Sequence, residues 1–255
     1  MILARPAKSA GIFAESTMTT IGMTQDPSRT LAQPVRSAGI VRRALLACGI
    51  LSSLLYVVTD VVGGLRDDGY SFTSQAISEL SAIGAPSKPF VDPLFMAYGL
   101  LVLAFAIGLF GAAAGRNRAL RIVAAALLGY AAIGIIARLI GPFFSMHQRG
   151  VGSVATDAPH IVLTGVLVLL LLLAIGFGAY ALGKRFRVYS FVTLATVILF
   201  GALTTPYPAL MDVGKPTPGL GIIERIDVYS ALLWLAVLGI ALLRHRDSAT
   251  EESLT

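Results

Sequence analysis

Two histidines, an arginine and an aspartate fall close together in the run S-M-H-Q-R-G-V-G-S-V-A-T-D-A-P-H at 145–160. Asp157 and His160 are three apart, a spacing that lets a carboxylate touch an imidazole on one helix face. The carboxylate would fix the ring's tautomer and raise its basicity, which suits a general base, a metal ligand or a pH sensor equally. A capping aspartate beside an interfacial histidine has the same spelling. His147, His160 and Asp157 are also a candidate metal set, because two histidines and a carboxylate can hold zinc with a position open for water. Glu79 or Glu224 would then carry protons. Without metal, His160 and Asp157 would work as an acid/base pair while Arg149 or Arg225 grips a phosphate or carboxylate bidentately. No H-E-x-x-H signature is present.

Other ionisable residues sit where charge is costly. Asp60, in V-V-T-D-V-V, and Arg138, in I-I-A-R-L-I, interrupt apolar runs at similar depth. An ionisable group there costs a few kcal/mol unless it finds a partner or water, so an Asp60–Arg138 ion pair is expected, with snorkelling of Arg138 as its rival. Near the last apolar run, 228–243 covers about 24 Å as a helix, too short to cross a bilayer untilted. That helix must therefore begin near Ile222 and carry Glu224, Arg225 and Asp227 in its first turns. Glu224 and Asp227 share a face, and Arg225 is turned about 100° away. Acids at a helix start also complement its dipole, which is the simpler reading of one of them.

The elements that position these groups are membrane helices. Apolar residues make up 56% of the chain and charged residues 13%, with mean hydropathy +0.79, leaving too little polar surface for a water-soluble domain. The formal charge of +6 lies in short clusters without a basic or aromatic stripe, so no nucleic-acid partner is expected. The lone Cys48 allows no internal disulfide. Six spans of bilayer length are read at 44–63, 93–114, 122–142, 159–182, 188–205 and 222–243. The fifth ends at T-T-P-Y-P, where prolines stop it. The fold class is an all-α six-transmembrane-helix bundle, with residues 41–246 as the membrane domain. Residues 1–40 and 247–255 read as disordered cytoplasmic tails. The first tail lacks a signal-peptide pattern, and Met18 or Met23 is a candidate start.

Lys and Arg cluster in alternate loops: Arg42 and Arg43; Arg116, Arg118 and Arg121; Lys184, Arg185 and Arg187; Arg244 and Arg246. The other loops hold Arg66 and Lys88, then Arg149, then Lys215. The positive-inside rule places both termini in the cytoplasm and the protein in a cell inner membrane. His147, His160 and most acids then share the outer end. In the longest outer loop Ile77, Leu80 and Ile83 recur at helical spacing, which predicts a short amphipathic helix ended at Gly84 and lying over the bundle mouth as a lid. Ser78 or Glu79 would point inward from it. Small-residue seams, Gly111 with Gly115 and Ala125 with Gly129, suit helix packing.

The motifs Q-A-I-S-E-L (75–80) with Gly84 and Pro86, M-H-x-R-G (146–150), D-A-P-H (157–160) and G-I-I-E-R-I (221–226) together resemble a prokaryotic membrane family catalogued as domain of unknown function 998. That resemblance implies the six-span topology and carries no activity. A more distant similarity is to the membrane hydrolases that include alkaline ceramidases and adiponectin-receptor-like proteins. It casts Ser78, Asp157, His147 and His160 around a zinc. Six spans replace that superfamily's seven, no H-x-x-x-H stands on the last helix, and the third histidine, His245, lies at the cytoplasmic end.

The expected function is an outward-facing polar cavity that binds, and in one version hydrolyses, a lipid, isoprenoid or other small membrane-associated molecule. Its catalytic candidates are His160, Asp157, His147, Glu224, Glu79 and Ser78; its ligand-binding candidates are Arg149, Arg225, Arg138, Asp227 and Asp60. The competing reading is a small-solute transporter or a pH or ligand sensor, although the inverted repeats and midplane helix breaks of transporters are not seen.

Overall fold

The computed structural model describes residues 27–113, 117–152 and 154–252. The chain divides into Met1–Ser37 and Ala38–Thr255. Of the expected tails, 1–26 and 253–255 lie outside the described residues, as do Gly115 and Arg116. Seven α-helices are described: α1 (Pro27–Leu65), α2 (Lys88–Ala112), α3 (Arg118–Ile140), α4 (Asp157–Gly178), α5 (Lys184–Thr204), α6 (Tyr207–Asp212) and α7 (Leu220–Glu252). Helical backbone thus begins at Pro27, ahead of the expected first boundary near residue 41.

Among the described residues six helices are long and apolar enough to cross a membrane: Gly39–Leu65, Lys88–Ala112, Arg118–Ile140, Asp157–Gly178, Lys184–Asp212 and Leu220–Arg244. Each expected span overlaps one of them. The ends differ for local reasons. Pro93 lies inside α2 instead of opening it, while Pro89 sits in the first turn, where a missing N–H costs nothing. The Asn117 side chain caps α3 by accepting from the Leu120 amide at 3.0 Å. Pro206 and Pro208 break α5 at Thr204 and restart it as α6, which lengthens that crossing.

Neighbours pack around the bundle as α2 on α3, α3 on α4, α4 on α5 and α5 on α7. Helix α1 closes the ring through small residues. A Cβ on Gly108 would stand 2.8 Å from that of Leu45, and one on Gly49 would stand 2.9 Å from the Phe105 ring. Membrane helices approach this closely by removing side chains at the crossing. Buried Trp234 anchors α7 to α5 by donating from Nε1 to Ser190 Oγ at 2.9 Å, and its ring fills the space beside Gly178.

The loops 66–87, 141–156 and 213–219 are laced together at one end, called here the histidine end. The Ile83 amide donates to the Met146 carbonyl at 2.9 Å, Gly150 to Met211 at 3.0 Å, and Gly221 to Thr73 at 3.0 Å. Where the sequence predicts a short amphipathic helix ended at Gly84, the loop 66–87 forms a five-residue 3₁₀ helix, Ile77–Ser81. Ile77, Glu79 and Leu80 are buried, so the segment is plugged into the bundle instead of resting over it.

Candidate functional site

Two arginine–carboxylate forks hold the plug. Asp60, fully buried on α1, accepts from Arg225 Nε at 2.9 Å and Nη2 at 2.7 Å, and from the Tyr229 hydroxyl at 2.6 Å. Arg225 Nη1 donates onward to the carbonyls of Phe72, Gln75 and Gly221, and Nη2 to the Tyr70 hydroxyl. Tyr70 in turn donates to the Ala76 carbonyl at 2.8 Å. Burial pushes the Tyr70 phenol above its ordinary range, which keeps that donor protonated.

The second fork joins Arg149 to Glu79, Nε to Oε2 at 2.5 Å and Nη2 to Oε1 at 2.8 Å. Arg149 also donates to Thr217 Oγ1 and to the Ser74 carbonyl. Glu79 accepts as well from the Ala76 amide at 2.7 Å. A guanidinium has five N–H donors. Those of Arg225 are all engaged within the protein and those of Arg149 nearly so, which leaves them little to offer a ligand.

The expected Asp60–Arg138 pair is corrected. Arg138 reaches Asp92 at 3.5 Å and lies over the Phe95 ring at 4.8 Å, and Asp92 also meets Lys88 Nζ at 2.8 Å. Depth was matched but azimuth was not: Asp60 faces α7, whereas Arg138 faces α2. The Asp157–His160 pair is corrected too. Asp157 Oδ2 accepts from the Val154 amide at 2.8 Å, and its Oδ1 stands 3.5 Å from His147 Nδ1. A first-turn carboxylate is drawn back to the free amides before its helix, away from position i+3. His147 Nδ1 is also 3.1 Å from Thr156 Oγ1. His160 turns to the 3₁₀ turn Gly141–Phe144, its Nδ1 2.9 Å from the Phe144 carbonyl.

Zinc does not fit these residues. Among the described residues no group of three His, Cys, Asp or Glu side chains could hold a metal ion. The two histidines serve different partners, so no step is derived through a metal.

What the helices do enclose is a cavity of about 580 Å³ between α2, α3, α4 and α7. This is the size of a small-molecule site. Ser78, Arg138, His160, Glu224 and Asp227 line it, as do Ser81, Lys88 and Asp92. His147, Arg149, Asp157, Glu79, Asp60 and Arg225 do not. On α4 the lining runs His160, Leu163, Leu167, Leu171, and on α7 Glu224, Asp227, Ala231, Leu235. The first and last members of each series are eleven positions apart, about 16 Å of helix. On α4 and α7 the charged and imidazole groups therefore occupy the histidine end and aliphatic ones lie further along.

Glu224 Oε2 accepts from the Ile77 amide at 2.5 Å, tying the plug to α7. Asp227 Oδ1 and Ser81 Oγ are buried with no hydrogen-bond partner. A carbonyl only accepts, so His160 Nδ1 carries a proton toward Phe144, and in the neutral ring Nε2 is the acceptor. Sequence reasoning missed Tyr56, Tyr98 and Tyr130, which line the same cavity. The Tyr98 and Tyr130 hydroxyls are 3.1 Å apart, and the Tyr56 and Tyr98 rings meet edge to face at 5.0 Å. The available signal was depth: Tyr98 lies about 15 Å along α2 from Lys88, far from the interfacial belt that tyrosines favour.

A family model described as "Protein of unknown function (DUF998)" matches residues 50–241, more than half of the chain. No curated protein and no solved structure gives a match.

Proposed function

The chain belongs to the DUF998 family of proteins of unknown function, and we propose that it is a membrane receptor for a single-tailed amphiphile. The cavity carries this reading. It is polar at the histidine end, aliphatic along α4 from Leu163 to Leu171 for about 12 Å, and walled by helices of bilayer length. A head group would lie among Ser78, His160, Glu224 and Asp227, with the tail between α4 and α7. The basic clusters at the opposite loops support placing the histidine end on the non-cytoplasmic face of an inner membrane, both termini inside.

Gly134 supplies the test. It lines the cavity, and a Cβ there would meet nothing within 4 Å. Gly134→Leu should therefore fill the tail region without displacing a helix. Native mass spectrometry of the wild type in detergent should show a bound amphiphile that Gly134→Leu loses at unchanged melting temperature. Equal adducts in both proteins would remove the receptor reading. For sidedness, a cysteine at Asp68 in a Cys48→Ala background should react with an impermeant maleimide from outside the cell.

A second reading, hydrolysis of the amphiphile's head, is favoured by one observation. The His160 ring is oriented by the Phe144 carbonyl, which in the neutral ring leaves Nε2 to take a proton from water at the cavity. His160→Gln should then abolish turnover of bound amphiphile while leaving binding intact.

A further inference from the structure

The head group that completes this cavity can be named by charge. We infer that the cavity selects an amphiphile with a cationic, ammonium-type head; the inference rests on the receptor reading.

At the rim two cations share one carboxylate. Lys88 Nζ is 2.8 Å from Asp92 Oδ2 and 3.0 Å from the Ser81 carbonyl, and Arg138 is held by Asp92 and the Phe95 ring. Deeper in, the balance reverses. Among the described residues no ion pair reaches Glu224 or Asp227; Arg225, the basic residue beside Glu224 in the chain, is turned onto Asp60. Asp227 Oδ1 is buried without a partner on a half-buried side chain, so a cation or donor reaching it would gain a contact that nothing in the protein supplies.

One further observation points to a cation. The cavity wall carries the aromatic rings of Tyr56, Tyr98 and Tyr130. Aromatic faces attract ammonium heads and give an anionic head nothing in return. A phosphate head would find spare donors on Arg138 at the rim but would then face two carboxylates that no ion pair among the described residues reaches.

The experiment uses the full chain in zwitterionic nanodiscs and three probes of one tail length: dodecyltrimethylammonium, dodecyl phosphate and dodecyl maltoside. Wild type should bind the ammonium probe at least about tenfold tighter than the phosphate probe, the scale of one desolvated cation contact. Asp227→Asn should reduce that preference about tenfold and leave maltoside binding unchanged. Gly134→Leu should abolish all three. Preference for phosphate, or an ammonium preference unaltered by Asp227→Asn, overturns the inference about the head. The wild-type ranking decides this by itself where the variant does not fold. Binding of all three probes that survives Gly134→Leu overturns the receptor reading instead.

Discussion

Arg149 and Glu79, 70 residues apart in the chain, meet as a two-pronged ion pair with separations of 2.5 and 2.8 Å. Their side chains are 22% and 6% exposed. The pair joins the loop after α1 to the loop before α4, and Thr217 adds the loop before α7 to the same guanidinium. Three connections that the bilayer does not support are thereby fixed to one another.

Removing one partner should cost more than removing both. Arg149→Ala leaves a buried carboxylate uncompensated, for a loss of about 3–5 kcal/mol. Arg149→Lys should recover little, because an ammonium cannot occupy both prongs. Unfolding titrations of Arg149→Ala, Glu79→Gln and the double variant give the coupling. A coupling near zero would mean the fork does not hold the plug.

Asp60 and Arg138 should behave as strangers. Asp60→Ala strands the Arg225 guanidinium at a fully buried site and should cost several kcal/mol. Arg138→Ala removes a half-exposed contact with Asp92 and should cost under about 1 kcal/mol. A double-mutant cycle between the two should return no interaction energy.

Alkali should loosen the plug through Tyr70. Its phenol is raised by burial, so the folded state keeps a proton that the unfolded chain releases near the ordinary value of about 10. The contribution is complete below that pH and is lost as pH rises toward the displaced value. Proteolysis of 66–87 against pH should accelerate above about pH 10, and Tyr70→Phe should flatten that limb.

Two glycines should answer oppositely to alanine. A Cβ on Gly178 would stand 2.3 Å from Trp234 Cζ2, so Gly178→Ala should lower stability by about 1–3 kcal/mol. Gly134→Ala faces open space and should be neutral or better. Thermal melts of the two proteins side by side decide it.

What the sequence makes legible follows from one-dimensional rules. Apolar run length locates the six crossings, and the length argument for the last one puts Glu224 and Asp227 on a different face from Arg225. That division persists in space: the two acids line the cavity while the arginine grips Asp60. What is not legible depends on azimuth and on backbone acceptors. Depth could not tell whether Asp60 turns toward α3 or α7. The spacing of Ile77, Leu80 and Ile83 suits several conformations, and the 3₁₀ helix is chosen by Arg149, from the loop before α4, and Glu224, from α7, gripping it. Asp157 sits where its spacing from His160 allows contact, yet nearer free amides claim it. The cavity tyrosines hide because periodicity treats them as packing residues.

The desolvation of both forks determines which external conditions can reach them. Dissolved salt weakens attractions that water surrounds, over a screening distance of about 8 Å at physiological strength, and acts far less on charges that water has left. The plug at the histidine end should thus stay seated from dilute buffer to brine.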